Sequence, residues 1–186
     1  AVALVGVWLG IGSAHVQAQF TAFKQAVAEA ESSNDGVSTC YRENNYQPIW
    51  AGAGQQDRAR RAARLAALSD VSIHGLPDRS VEVARLTEQM QNARTTRDLG
   101  LVEVALSQAL VDYAEDIQTG LLVPLQIDDG MVRQKPKAAG NAFLVGIRDE
   151  QPLSFMRSLA PRSPQYHALM KEKLRLEALM LQGGWG

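Results

Sequence analysis

The chain has 186 residues, 46% of them hydrophobic, which suits one domain with a sizeable core. Its 19 basic and 20 acidic residues leave a net charge of −1, which argues against an electrostatic nucleic-acid binder. Only 6% is aromatic, and abundant Ala, Leu, Arg, Glu and Gln predict an all-α fold, a single multi-helix domain with long surface loops.

No charged side chain occurs from Ala1 to Phe23, and residues 1–11 form a compact apolar run. A more polar stretch follows, in which Val16-Gln-Ala18 fits the small-x-small pattern of a signal-peptide cleavage site. The run is shorter than the roughly 20 residues of a membrane span. Residues 1–18 therefore read as a signal-peptide-like segment, clipped at its start, that marks the chain for export. A buried N-terminal helix is the alternative reading. Residues 19–182 form the helical domain, and residues 183–186 the start of a linker.

Phe20, Phe23, Val27 and Ala30 recur at helical spacing and predict a helix over 20–31. Ser32-Ser-Asn-Asp-Gly36 breaks it, and a short helix follows over 37–44. Cys40 lies there, the only cysteine and so without an internal disulfide partner. A catalytic thiol needs a base and an electropositive setting. Neither His74 nor His167 stands in a Cys/His motif, so Cys40 reads as a small buried core residue. Pro48 then forbids helix and biases Gln47 to extended geometry. Tyr46, Ile49 and Trp50 are expected to pin this loop onto the core.

A strong helix is predicted over 56–68, with Arg58, Arg61 and Arg64 on one face. Such a stripe fits either an anionic wall polymer or a solvated face, and the balanced net charge favours the solvated face. Gly75 suits a helix C-terminus and Pro77 the start of the next helix, over 78–93, carrying Val81, Leu86 and Met90. In 99–117, Leu99, Val102, Leu106, Leu110, Tyr113 and Ile117 step by three and four into one apolar face. Glu103, Asp112, Glu115 and Asp116 flank it and read as solvated. Asp112 and Asp116 lack a third ligand at metal spacing, so no metal is assigned. Gly120 ends the helix and residues 121–140 read as a surface loop, where Asp128-Asp-Gly130 lacks the ligand set of a calcium loop. Short helices over 141–149 and 153–159 and a long one over 165–181 complete the chain.

No phosphate loop, zinc spacing, nucleophile elbow or dinucleotide fingerprint occurs, so neither cofactor nor catalytic residue is assigned. The residues alone describe an exported helical domain that binds or positions something.

Four segments carry a resemblance. Tyr41-Arg-Glu-Asn-Asn-Tyr-Gln-Pro-Ile-Trp50 resembles the opening signature of large periplasmic L,D-transpeptidases. His74-Gly-Leu-Pro-Asp78 is similar to that family's Gly-Leu-x-Pro turn. The stretch from Leu106 to Gly120, with Pro124 behind it, resembles its long Tyr- and Asp-bearing helix, and Leu159-Ala-Pro-Arg-Ser-Pro-Gln-Tyr166 its Leu-x-Pro-x-x-Pro-x-Tyr close. The resemblance implies a non-catalytic helical scaffold, followed by a peptidoglycan-binding module and a Cys/His catalytic domain. The enzyme's Cys would attack an amide of one stem peptide, form a thioester and pass the acyl group to an amine of another. Implied partners are peptidoglycan, the C-terminal domains of the same chain and other cell-wall enzymes. Tyr41, Tyr46, Trp50, Tyr113 and Tyr166 are the candidate anchors, with core packing behind a polar tip as their plainer role. The rival reading is a free-standing exported adaptor or wall-binding protein without an enzyme.

Overall fold

The computed structural model describes residues 11–30, 35–122, 124–130 and 139–184. Among them the order is α1 (Ile11–Ala30), α2 (Asp35–Glu43), α3 (Gln55–Ser69), a 3₁₀ turn (Val71–His74) and α4 (Ser80–Asn92). Then come α5 (Thr96–Thr119), α6 (Pro124–Ile127), α7 (Gly140–Asp149), α8 (Pro152–Ser158) and α9 (Pro164–Leu181), with no strand among the described residues. The apolar residues 1–10, residues 31–34 of the expected break, residues 123 and 131–138 of the expected loop with Gln134-Lys-Pro-Lys137, and residues 185–186 lie outside them.

The longest helix organises the rest. Thr95 starts α5 with a capping box: its hydroxyl accepts from the Asp98 amide at 3.1 Å, while the Asp98 carboxylate accepts from the Thr95 amide at 2.8 Å. The apolar stripe expected on this helix is the buried one, with Val102, Leu106, Leu110, Tyr113 and Ile117 inside. Against it α1 lays Phe23 and Val27. Gly100 permits the close approach, since a Cβ there would stand 2.7 Å from the Ala26 Cβ. On the other side, α2 and α7 cross where Gly36 meets Gly140, and α8 closes over α3 and α7. The last helix, α9, buries none of its residues and meets the body through the 3₁₀ turn.

Several expectations are corrected. Helix α1 starts at Ile11, nine residues before the expected start at 20, and Phe20 stands exposed with the Lys24 ammonium 4.5 Å above its ring. On α4 the inward valine is Val83; Val81 is 82% exposed. This helix begins at Ser80, where Asp78 accepts from the Ser80 amide, rather than at Pro77. Glu103 and Arg64, both read as solvated, are fully buried.

Candidate functional site

The buried Glu103 carboxylate is the centre of the first cluster. Its side chain leaves α5 beside the loop at 47–51, and Oε1 accepts from the amides of Ile49 at 2.5 Å and Trp50 at 3.1 Å. Oε2 accepts from the amides of Trp50 at 3.1 Å and Ala51 at 2.7 Å. The Tyr41 hydroxyl donates to Oε1 at 2.7 Å. Because that spends the only Tyr41 proton, the Ser107 hydroxyl, 2.7 Å away, must donate to Tyr41. Ser107 in turn accepts from Trp50 Nε1 at 2.8 Å. The chain of protons thus runs Trp50, Ser107, Tyr41, Glu103. Burial pushes the Glu103 carboxyl above its ordinary value, and the backbone and Tyr41 donors pull against it. Every partner of Glu103 donates, and a protonated carboxyl would set its own O–H against them, so the cluster is built for the carboxylate.

Arginines of α3 hold the same loop from outside. Pro48 and the extended backbone leave carbonyls that no helix can satisfy. Arg61 donates to the carbonyls of Trp50 and Gly52, and Arg58 to that of Ala53. Arg60 donates to Ile49 and reaches the carbonyls of Ile147 and Arg148 at the C-terminus of α7, which favours a cation. The basic stripe is therefore a loop clamp rather than a solvated face. Arg64 is its exception: three guanidinium nitrogens are buried without a hydrogen bond, and the nearest counter-charge is Glu82 at 3.8 Å. Burial pushes Arg64 down to about 10. Glu82 also binds Arg79 at 3.1 Å, and Arg79 binds Asp116, so a line of charges joins α3, α4 and α5.

The second cluster joins the 3₁₀ turn to α9. Gly75, in the left-handed region at φ 74°, turns the chain after His74. His74 Nδ1 lies 2.5 Å from the Tyr166 hydroxyl, with the rings stacked at 17° and 6.2 Å between centroids. Burial holds His74 below its ordinary 6.5, which favours a neutral ring accepting from Tyr166. His74 lines three cavities. The largest, about 730 Å³, lies between the turn at His74–Pro77, the end of α5 and Pro161. A second of about 280 Å³ runs under Asp70 and Tyr113 towards α8, and a third of about 370 Å³ along Leu169 and Met170 of α9.

The five candidate anchors do not form one site. Tyr41 and Trp50 share the Glu103 cluster, Tyr113 is buried in the stripe of α5, and Tyr166 belongs to the His74 junction. Tyr46 packs half-buried against the core, with left-handed backbone at φ 57° directly after Asn45 at φ 52°. Cys40 is buried and burial pushes its thiol up to about 11, with no His among the described residues in hydrogen-bonding contact. No group of three or more His, Cys, Asp or Glu side chains suited to a metal occurs among the described residues. Asp112 accepts from Gln108, and Asp116 pairs with Arg79. Neither Glu103 nor Arg64 was recognisable as functional from sequence, since a single charge beside an apolar stripe reads as its solvated edge.

Together these features define a helical framework domain, with its polar side chains spent on fixing loops and helix ends. The chain belongs to the Scaffold domain family, whose model matches residues 35–172. No curated protein matches it, and no solved structure does.

Proposed function

We propose that this Scaffold-family chain is the non-catalytic framework of an exported peptidoglycan L,D-transpeptidase, acting in the periplasm in cell-wall cross-linking. The observation that carries the reading is one of coincidence in span. The four segments that resemble those enzymes, at 41–50, 74–78, 106–120 and 159–166, all fall inside the stretch matched by the family model. Their use in the fold supports it too. The first segment bonds to the third through Trp50 and Ser107, and the second to the fourth through His74 and Tyr166. Residues that define the resemblance are thus those that hold a framework, as a positioning domain requires. In this role the domain presents a Cys/His catalytic module, elsewhere in the same polypeptide, to peptidoglycan or to partner enzymes.

The test is a muropeptide profile of the source bacterium with and without the gene, with a Glu103→Ala copy as a third strain. Loss of one class of cross-linked stem peptides on deletion, restored by the wild-type gene and not by Glu103→Ala, is the expected result. An unchanged profile on deletion would replace this reading with that of an adaptor unconnected to cross-linking.

A further inference from the structure

The cavity of about 280 Å³ that runs from His74 towards α8 is walled by small side chains, Ala63, Ala66 and Ala67 of α3 and Ala160 beyond α8. Its polar groups come from separate elements. Asp70 stands at the C-terminus of α3, Tyr113 borders the cavity from α5, and Arg157 borders it from α8. Tyr113 is the unusual member. Only 2% of it is exposed, yet its hydroxyl has no hydrogen-bond partner among the described residues. A buried tyrosine hydroxyl ordinarily finds one. The fully enclosed side-chain atoms without a partner all belong to Arg64, so the Tyr113 hydroxyl keeps access to open space, and Tyr113 borders this cavity. Burial pushes Tyr113 up to about 12, so at neutral pH its hydroxyl is uncharged and can both donate and accept. The Asp70 carboxylate lies within electrostatic reach of both Tyr113 and His74. Neither Asp70 nor Arg157 forms an ion pair among the described residues, with each other or with a third group. One anion and one cation thus stand unpaired at the same small cavity.

We infer that this cavity binds a small zwitterion, an amino acid or a dipeptide with methyl-sized side chains. Asp70 would accept from its ammonium, and Arg157 would donate to its carboxylate with the planar fork of a guanidinium. The Tyr113 hydroxyl would gain the partner it lacks in the fold, and the alanine walls would take the methyl group. A ligand of one charge would leave either Asp70 or Arg157 uncompensated. The volume agrees, since drug-sized ligands occupy clefts of about 300–1,000 Å³. This inference does not depend on the transpeptidase reading.

The probes are both enantiomers of alanine, alanylalanine, propionate, which lacks the ammonium, and ethylamine, which lacks the carboxylate. Each is titrated into the ¹⁵N-labelled full chain. At least one zwitterion should shift the amides of Ala67, Asp70, Arg157 and Ala160 saturably, and whether alanine or alanylalanine binds more tightly tells amino acid from dipeptide. Propionate and ethylamine should each bind about tenfold more weakly, the loss of one charge-assisted hydrogen bond. Tyr113→Phe should weaken the zwitterion at unchanged Tm, because the hydroxyl bonds nothing in the fold. Arg157→Gln, at an exposed position, should weaken the zwitterion and propionate but not ethylamine. Equal binding of charged and zwitterionic probes would overturn the inference, as would shifts confined to other parts of the chain or no saturation at millimolar concentrations.

Discussion

Replacing Glu103 tests the central cluster most directly. Glu103→Ala leaves the amides of Ile49, Trp50 and Ala51 and the Tyr41 hydroxyl without their acceptor. A buried group left unsatisfied costs about 1–3 kcal/mol, and removing one member of a buried charged network about 3–5 kcal/mol. We expect about 4 kcal/mol, a fall of about 8–16 °C in Tm for a domain of this size. Glu103→Gln separates charge from shape. Its amide keeps the volume and one acceptor oxygen but points an NH₂ at N–H donors, so a loss of about 2–3 kcal/mol is expected. Urea unfolding followed by far-ultraviolet circular dichroism measures both. If Glu103→Gln unfolds within about 0.5 kcal/mol of wild type while Glu103→Ala does not, the argument fails. The side chain would then already be neutral in the fold, with burial outweighing its donors.

Arg64→Met should be neutral or stabilising by about 1–4 kcal/mol, because it removes a buried cation without hydrogen bonds and Glu82 keeps Arg79; a clear loss in the same urea assay would show that Arg64 is better compensated than its contacts suggest. Burial holds His74 below 6.5, so the folded state binds its proton more weakly than the unfolded chain. Its stability is therefore full above about pH 6.5 and declines as pH falls towards the folded-state value, a step that His74→Gln should abolish in Tm measured from pH 8 to 5. With its thiol buried and pushed up to about 11, Cys40 should react with a thiol reagent at pH 8 only on unfolding. A rapid native-state reaction would reopen the question of a nucleophile.

Sequence by itself determined the longer helices and the main buried stripe, but not the short helix α6, which lies where residues 121–140 read as loop. The step of three and four from Val102 to Ile117 admits one solution, a helix with that face inward, because apolar spacing and burial express one fact. Gly75 marked the end of its turn for the same local reason, whereas Pro77 did not start α4, which begins at Ser80. Cys40 and Trp50 were legible as buried because their side chains have little to gain from water. The chemistry of the polar residues was decided only in three dimensions. Glu103 and Asp112 sit on the same helix beside the same stripe, yet one is buried and the other exposed. What separates them is the loop at 49–51, whose unpaired amides arrive from more than 50 residues away and need an acceptor. Arg61 and Arg64 differ likewise, one meeting the loop's carbonyls and the other only a distant Glu82. A charged side chain beside an apolar face takes its role from the partner that folding brings to it, and that partner is not a local property of the chain.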